Sequence, residues 1–244
     1  MAETAAEELA TSRYFDQNFG LPAIKVMPGE YYVATRPMVL VTVLGSCVSV
    51  CLRDVVKGIG GLNHFMLPEG GEEDAGPLSS AARYGGYAME VLVNHLIKLG
   101  ARREHLRAKV FGGAQVLAGA ARQAIGERNA QFALQYLATE RIPVDAQDLL
   151  DVFPRKIYFF PATGKVLVRK LRDAQGGSLA QREARYQKRL ARKVPEGGIE
   201  LFSDRAAAAG STAEESLGPM PAPPRAGVET LRRGPQPCLK PEAE

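Results

Sequence analysis

The alternation of apolar and polar residues predicts a body of short strands and two amphipathic helices between about residues 23 and 171. "EYYVA", "VLVTVLG", "CVSVCLRD" and "GIGGLNHFML" have the β-branched and aromatic content typical of strands. "LRAKVFGG" predicts a buried strand, and "RKIYFFPATGKVLVRKL" predicts a hairpin around "PATG". "AARYGGYAMEVLVNHLIKLG" and "ERNAQFALQYLATER" carry the helical period. This order of elements predicts a mixed α/β or α+β body without regular alternation.

The two ends of the chain differ from this body. Residues 1–22 lack strong periodicity and are expected to form a flexible N-terminal extension, followed by a globular domain over 23–171. Residues 172–194 predict a basic helical segment. The stretch 195–244 holds 8 of the 16 prolines and a single aromatic residue, Phe202. Such a composition buries too little apolar surface to offset chain entropy, so we expect a disordered Pro-rich tail.

Composition narrows the class of protein. No run approaches the roughly 18 apolar residues of a membrane span, and the acidic start is not a secretory signal. We therefore expect a cytoplasmic protein without membrane insertion, whose three cysteines stay reduced. The net charge of +4 does not by itself indicate a nucleic-acid partner. The basic helix near 182–193 could bind nucleic acid or an acidic partner, but without interleaved aromatic residues a solvated helix face is favoured.

A break inside "VTVLGSCVSVCLRD" indicates the first candidate for chemistry. Gly45 and Ser46 interrupt two strands, and Cys47 follows immediately. Glycine permits a sharp bend, and the residue after such a bend can present its side chain at the sheet edge with its N–H directed at a ligand oxygen. A single cysteine on a strand is more often a small core residue. As a nucleophile it would need a base, because only a few per cent of an ordinary thiol is ionised at neutral pH.

His64 is the candidate base. It lies 17 positions after Cys47, at the far end of the next apolar strand, so two adjacent strands could bring the two side chains to one sheet edge. The alternative is a histidine hydrogen-bonded inside the fold. Thr42 precedes the turn by three residues and could place a hydroxyl near the thiol or the substrate amide, although a strand threonine is usually structural.

The second cysteine of this stretch, Cys51, is predicted to be a core residue. It shares the face of Cys47, but i and i+4 on a strand lie roughly 13 Å apart, which is too far for tetrahedral zinc with His64 as a third ligand. "FGGAQ" after a predicted strand lacks the spacing of a dinucleotide or phosphate-binding loop. We therefore expect neither a metal nor another cofactor.

Several segments together resemble the CheD family of chemoreceptor glutamine deamidases. They are "TVLGSCVSVCLRD", "GGLNHFMLP", "RYGGYAMEVLVNHLIKLGA", "LRAKVFGGAQVL", "IGERN" and "RKIYFFPATGKVLVRK", and the resemblance covers about residues 25–171. It implies an α+β fold of two packed mixed β-sheets flanked by helices, as in other cysteine hydrolases. It also implies Cys47 as nucleophile, His64 as base and Thr42 as the third active-site residue.

The resemblance implies an enzyme, a cysteine-dependent protein-glutamine glutaminase. Its members convert particular glutamines of methyl-accepting chemotaxis receptors to glutamate with release of ammonia, and some hydrolyse glutamyl methyl esters there. We expect backbone N–H groups of the turn at Gly45, Ser46 and Cys47 to hold the oxyanion. The alternative function is a regulatory binding partner of a CheC-type phosphatase. The chain departs from many members before Arg155, where "LLDVFPRK" replaces a Gly-Gly pair.

Overall fold

The computed structural model describes residues 8–68, 80–115, 120–171, 175–190 and 228–230. Strands and helices follow each other in the order β1 (Glu8–Leu9), β2 (Ser12–Asp16), β3 (Leu21–Lys25), β4 (Glu30–Ala34), β5 (Val39–Leu44), β6 (Val48–Asp54), β7 (Gly60–His64), α1 (Ser80–Lys98), β8 (Leu106–Gly112), α2 (Ala120–Thr139), β9 (Val144–Leu149), β10 (Arg155–Phe160), β11 (Lys165–Lys170), α3 (Gln175–Leu190) and β12 (Val228–Thr230). The strands and helices predicted between residues 30 and 171 are confirmed.

The strands form two mixed sheets. The first has the order β1-β4-β7-β6-β8-β9, and the second has the order β12-β11-β10-β5-β3-β2. Most neighbours are antiparallel. The parallel pairs are β1 with β4 and β8 with β9 in the first sheet, and β3 with β5 and β11 with β12 in the second. The predicted α+β class with two mixed sheets is therefore confirmed.

The two sheets share one core, which explains where each strand points its side chains. Leu40 and Leu44 of β5 belong to the main buried cluster together with residues of β6, β7 and β8. Val39 and Val41 belong to a smaller cluster with Tyr158 on the other face of the second sheet. Since side chains alternate along a strand, Thr42 shares the inner face with Leu40 and Leu44. Strand β5 thus directs the Thr42 hydroxyl towards the first sheet.

Helices α1 and α2 cover the first sheet. Helix α1 packs on β7 and β4, and α2 packs on β8 and β6. The apolar stripe of α1 is fully buried and consists of Met89, Leu92, Val93 and Leu96. Asn63 of β7 joins sheet and helix, because its side chain accepts from the Val50 amide at 2.9 Å and donates to the Ala88 carbonyl at 3.0 Å. The strands that present the candidate residues are therefore held by both a core and a helix layer.

The structure differs from the sequence-based expectation at β1, β2, β9 and the start of α2. Strands β1 and β2 lie within residues 1–22, where a flexible extension was expected, so that expectation is corrected for residues 8–22. Four of the five residues of β2 are exposed, which leaves no alternation for a sequence pattern to reveal. Strand β9 was missed because "VDAQDL" contains two aspartates, a residue type depleted in strands. Helix α2 begins before the predicted residue 127, at Ala120.

The C-terminal predictions fall partly outside the described residues. Helix α3 lies within residues 172–194, where the sequence predicts a basic helical segment. Most of the predicted disordered tail, 195–244, lies outside the described residues. Val228–Thr230 is an exception to that expectation, since it forms a strand beside β11. Across the described ranges, no helix is both long and apolar enough to cross a membrane.

Candidate active site

The turn between β5 and β6, residues 45–47, is anchored through its carbonyl groups. The Gly45 and Cys47 carbonyls accept hydrogen bonds from the backbone amides of residues 114 and 113, at 2.7 and 2.8 Å. The Ser46 carbonyl accepts from the Asn129 side-chain amide of α2 at 2.8 Å. All three carbonyls are thus engaged by neighbouring elements. The three N–H groups of the turn remain available to point at one place.

Strand β8 passes very close behind this turn. A Cβ built on Gly112 would lie 2.2 Å from the Cys47 carbonyl oxygen, and Gly112 has φ of 117°, in the region that favours glycine. Val48 pairs with Gly112 in the antiparallel ladder. A side chain at position 112 would therefore displace the cysteine backbone, so glycine is required here by contact as well as by conformation.

Thr42 and His64 are in direct contact, which was not predicted from the sequence, since the Thr42 hydroxyl was expected near the thiol or the substrate amide. The Thr42 hydroxyl donates to the Val26 carbonyl at 2.7 Å, and its oxygen lies 2.7 Å from Nδ1 of His64. A hydroxyl has one proton, and the carbonyl can only accept, so Nδ1 must be the donor to Thr42. This assigns the neutral tautomer with its proton on Nδ1. The other ring nitrogen, Nε2, then carries a lone pair, as a general base requires.

Cys47 lies beside this imidazole. Potential ligand atoms of Cys47, His64 and Glu183 lie within 4.8 Å of one another, and all three residues are buried. His64 Nε2 has no hydrogen-bond partner within the part of the chain that is described. A buried lone pair without a donor indicates a position at which a thiol proton or a ligand proton can be received.

Burial keeps both groups neutral. Burial lowers the pKa of His64 to about 3, the positive charge of Arg182 adds to the effect, and the Val26 carbonyl opposes it. Burial also raises the pKa of Cys47 well above its ordinary value, and the neighbouring Glu183 carboxylate raises it further. In this arrangement the pair is therefore a thiol and a neutral imidazole rather than a thiolate and an imidazolium.

Glu183 occupies the point at which the turn amides converge. Its carboxylate accepts from the Gly45 and Ser46 amides at 2.8 Å each and from the Cys47 amide at 3.4 Å. The Ser46 hydroxyl donates to the same carboxylate at 2.7 Å. Three backbone donors and a hydroxyl around one carboxylate are the donor pattern of an oxyanion hole.

Glu183 comes from α3, which corrects the interpretation of this segment as a solvated helix. One face of α3 is buried and consists of Leu179, Glu183, Tyr186, Gln187 and Leu190. Tyr186 lies over Gly29, and its hydroxyl is 2.5 Å from that of Tyr84 in α1. A glutamate between Leu179, Tyr186 and Leu190 at helical spacing was the sequence signal that could have revealed this residue. A cavity of about 490 Å³ lies around Tyr14 and Lys156; Thr42 is among the residues that line it, but Cys47 and His64 are not.

The same three side chains could be considered as metal ligands. A thiolate, an imidazole and a carboxylate within 4.8 Å match the ligand types of zinc. However, the Glu183 oxygens face backbone N–H groups, whose positive ends favour an anion and disfavour a cation. Cys51 is not part of the group, since it lies inside β6 opposite Leu62. The donor arrangement is thus that of an anion site, and the expectation of no metal remains a prediction.

Two further residues support the turn from behind and were not singled out from the sequence. Asn129 is fully buried and bridges the Ser46 carbonyl to the Leu67 amide, from which it accepts at 2.8 Å. Arg155 is fully buried at the start of β10 and donates to the carbonyls of Gly112, Asp148 and Leu150. They lie in the segments "IGERN" and "FPRK", but only the structure shows that they hold the turn and its neighbouring loop.

Comparison with known proteins places the chain in one family. Residues 66–170 match the model of the family described as CheD chemotactic sensory transduction. A probable chemoreceptor glutamine deamidase CheD of Thiobacillus denitrificans is 55% identical over 202 residues, which are 83% of this chain and 100% of that protein. Similar proteins occur in Dechloromonas aromatica, 59% identical over 80% of this chain and 96% of that protein, and in Methylobacillus flagellatus, 56% identical over 83% and 100%.

Among solved structures, the crystal structure of Bacillus licheniformis hypothetical protein YfiH aligns with a TM-score of 0.31 and 14% identity over 62% of this chain and 64% of that chain. That likeness is too weak to support any statement about this protein. The family model starts at Met66, after Cys47 and His64, so the assignment of the candidate side chains rests on the sequence motifs and on the geometry of the site. On the identity and coverage of those relatives, this chain belongs to the CheD family.

Proposed function

We propose that this protein is a cysteine-dependent protein-glutamine glutaminase that converts glutamine side chains of methyl-accepting chemotaxis receptors to glutamate. One observation carries the proposal. A thiol, an imidazole with its proton fixed on Nδ1, and three converging backbone donors surround a buried carboxylate, the chemical group that deamidation produces. The relatives named chemoreceptor glutamine deamidase support the choice of substrate.

The reaction begins at Cys47. When the substrate amide enters, His64 Nε2 takes the thiol proton and the sulfur attacks the amide carbon. The developing oxyanion accepts hydrogen bonds from the amides of residues 45–47 and takes the place of the carboxylate oxygens of Glu183. The imidazolium then gives its proton to the nitrogen, the C–N bond breaks, and ammonia leaves a thioester on Cys47.

Hydrolysis completes the cycle. His64 removes a proton from water, the hydroxide attacks the thioester carbon, and the C–S bond breaks as the imidazolium returns its proton to the departing sulfur, which gives glutamate, the thiol and neutral His64. The Thr42 oxygen accepts a hydrogen bond from the Nδ1–H group throughout, so the same tautomer is restored after each step. A glutamyl methyl ester would follow the same route with methanol as leaving group, and we therefore include methylesterase activity in the proposal.

The two buried cysteines provide the test. Cys47→Ala removes the nucleophile in the turn, whereas Cys51→Ala changes a buried cysteine inside the adjoining strand β6. With a receptor-derived helical peptide, we expect ammonia release by Cys51→Ala close to the unmodified rate and a loss of at least about 1000-fold for Cys47→Ala. Equal activity of Cys47→Ala and the unmodified protein would rule out the proposed nucleophile.

A second role is compatible with the same surface. Helix α3 packs its buried face over the turn, and this packing supports a site that is suited to a helix. We propose a helix of a CheC-type phosphatase as the alternative occupant of this site. Binding of such a partner would survive Cys47→Ala, whereas deamidation would not, so calorimetry with that variant separates the two roles. For both roles we propose the cytoplasm as the location, because the thiol must stay reduced.

A further inference from the structure

We propose that helix α3 is an internal pseudo-product that fills the substrate cleft, so that a receptor helix must displace it before a glutamine can reach Cys47. This inference rests on the proposed deamidase function and assigns to residues 175–190 a role that none of the motifs suggested.

The carboxylate of Glu183 has the chemistry of the product. A glutamine converted to glutamate beside Cys47 would leave a carboxylate among the N–H groups of residues 45–47, and Glu183 holds that position with distances of 2.8, 2.8 and 3.4 Å. The Ser46 hydroxyl adds a fourth donor at 2.7 Å. Hydrogen bonds to an ionised acceptor are stronger than those to a neutral amide, so this site retains a carboxylate more firmly than the substrate amide.

The rest of α3 behaves as a docked ligand helix. Relative to Glu183, the buried positions are Leu179 at −4, Tyr186 at +3, Gln187 at +4 and Leu190 at +7. These positions form one helix stripe, while Gln181, Arg182 and Arg185 are exposed. The docked pattern predicts the substrate: an amphipathic receptor helix with glutamine at the position of Glu183 and bulky apolar residues at −4, +3 and +7.

Two consequences of Glu183 both oppose catalysis. Its oxygens occupy the donors that would stabilise the oxyanion. Its negative charge beside Cys47 disfavours the thiolate, in addition to the effect of burial. Cys47 is also fully inaccessible to solvent under α3. The arrangement is thus a closed form, from which substrate binding requires α3 to leave.

The connection to the sheet makes this inhibition intramolecular. Strand β11 ends at Lys170 and α3 begins at Gln175, so only four residues join them. A ligand on so short a connection has a high effective concentration at its site. The apparent affinity for a receptor helix is then the intrinsic affinity multiplied by the fraction of molecules in which α3 has left the cleft.

The decisive experiment converts the pseudo-product into a substrate. In the full-length Glu183→Gln variant, we expect Cys47 to deamidate the introduced side chain within its own chain, which restores glutamate and raises the mass by about one dalton. Cleavage after lysine gives the peptide 171–188, in which Gln181 is an internal control that should keep its amide. The double variant Glu183→Gln, Cys47→Ala should retain the amide at position 183.

A second measurement tests the closed form without relying on self-deamidation. In full-length Glu183→Ala, iodoacetamide should alkylate Cys47 about tenfold faster, or more, than in the unmodified protein. The control is Gln181→Ala, which changes an exposed residue of the same helix and should react like the unmodified protein. The proposal is overturned if the Glu183→Gln variant keeps its introduced amide while it deamidates receptor peptide, or if Glu183→Ala leaves the alkylation rate unchanged. A Glu183→Gln variant that deamidates neither receptor peptide nor its own position 183 would instead contradict the proposed function itself.

Discussion

At the scale of single residues, the chemistry of the site depends on which nitrogen of the His64 ring carries a proton. The Thr42 oxygen accepts a hydrogen bond from the Nδ1–H group of His64, because the Thr42 hydroxyl donates its own proton to the Val26 carbonyl. The lone pair of Nε2 is thereby directed at the cleft. Thr42 does not touch the reacting atoms in this scheme, so it is a positioning residue that acts through His64.

This role of Thr42 predicts a difference between two substitutions. Thr42→Val keeps the shape but removes the acceptor, so the imidazole loses its fixed tautomer and kcat should fall about 100-fold. Thr42→Ser keeps the hydroxyl and should retain most of the activity. The measurement is kcat and KM for ammonia release across pH, where Thr42→Val should lower kcat with little change in KM. Equal kcat for the two variants would contradict the positioning role.

At the scale of elements, the turn at residues 45–47 is a meeting point of parts that are distant in the chain. Strand β8 approaches through Gly112, helix α2 through Asn129, and helix α3 through Glu183. The turn carbonyls accept hydrogen bonds from the residues that follow β8 and from Asn129 of α2. The turn N–H groups donate to Glu183 of α3. The anchored Gly45 and Ser46 carbonyls share their peptide planes with the N–H groups of Ser46 and Cys47, so the hydrogen bonds to these carbonyls help to orient two of the three donors.

The Asn129 bridge gives a stability prediction. Asn129→Ala leaves the buried Leu67 N–H and the Ser46 carbonyl without their partners, which should lower the free energy of unfolding by about 1–3 kcal/mol. Gln131→Ala, at an exposed position of the same helix, is the control and should change it by less than about 0.5 kcal/mol. Urea unfolding measures both. Similar losses in the two variants would show that Asn129 does not brace the turn.

The loop before β10 holds two non-glycine residues in a backbone conformation that favours glycine. Leu150 and Asp151 have φ of 62° and 77°, in the left-handed region that glycine adopts without strain. Arg155 donates to the Leu150 carbonyl, and the Leu150 amide donates to the Gly112 carbonyl at 2.8 Å. These bonds hold the unusual backbone in place and link the loop to the strand that lies behind Cys47.

Sequence reasoning succeeded for elements with strong periodicity and for local motifs. The α1 stripe and the β10–β11 hairpin follow from patterns within one segment. Cys47 and His64 were predicted from short motifs and Thr42 mainly from the family resemblance, and their catalytic roles remain predictions. Glu183 could not be predicted, because it lies 136 residues from Cys47, and its contact depends on how α3 packs. Strands β2 and β9 were missed because pairing with neighbours, rather than apolar alternation, defines them.

At the scale of the whole molecule, two sheets and their helices enclose a histidine that must stay neutral. His64 lies on β7, where the first sheet meets β5 of the second. Its pKa is lowered from 6.5 to about 3, first by burial. A group with a lowered pKa takes up a proton more readily in the unfolded chain than in the folded one as the pH falls.

This shift predicts acid destabilisation with a defined sign. The contribution of His64 is fully present above pH 6.5 and is lost as the pH falls from 6.5 towards 3. Its slope is at most about 1.4 kcal/mol per pH unit for one proton. When the pH is lowered from 7 to 5, the free energy of unfolding should therefore fall by about 2 kcal/mol less in His64→Asn than in the unmodified protein. Equal losses, measured by urea unfolding at both pH values, would show that His64 is not kept neutral by the fold.

The most direct test of the account is the mass of the receptors themselves. Receptors co-expressed with the unmodified protein or with Cys51→Ala should carry glutamate at selected glutamine positions, with a gain of about one dalton per site. Receptors co-expressed with Cys47→Ala should keep glutamine at those positions. The same gain with Cys47→Ala, or no gain with the unmodified protein, would contradict the assignment of Cys47 as the nucleophile of a receptor deamidase.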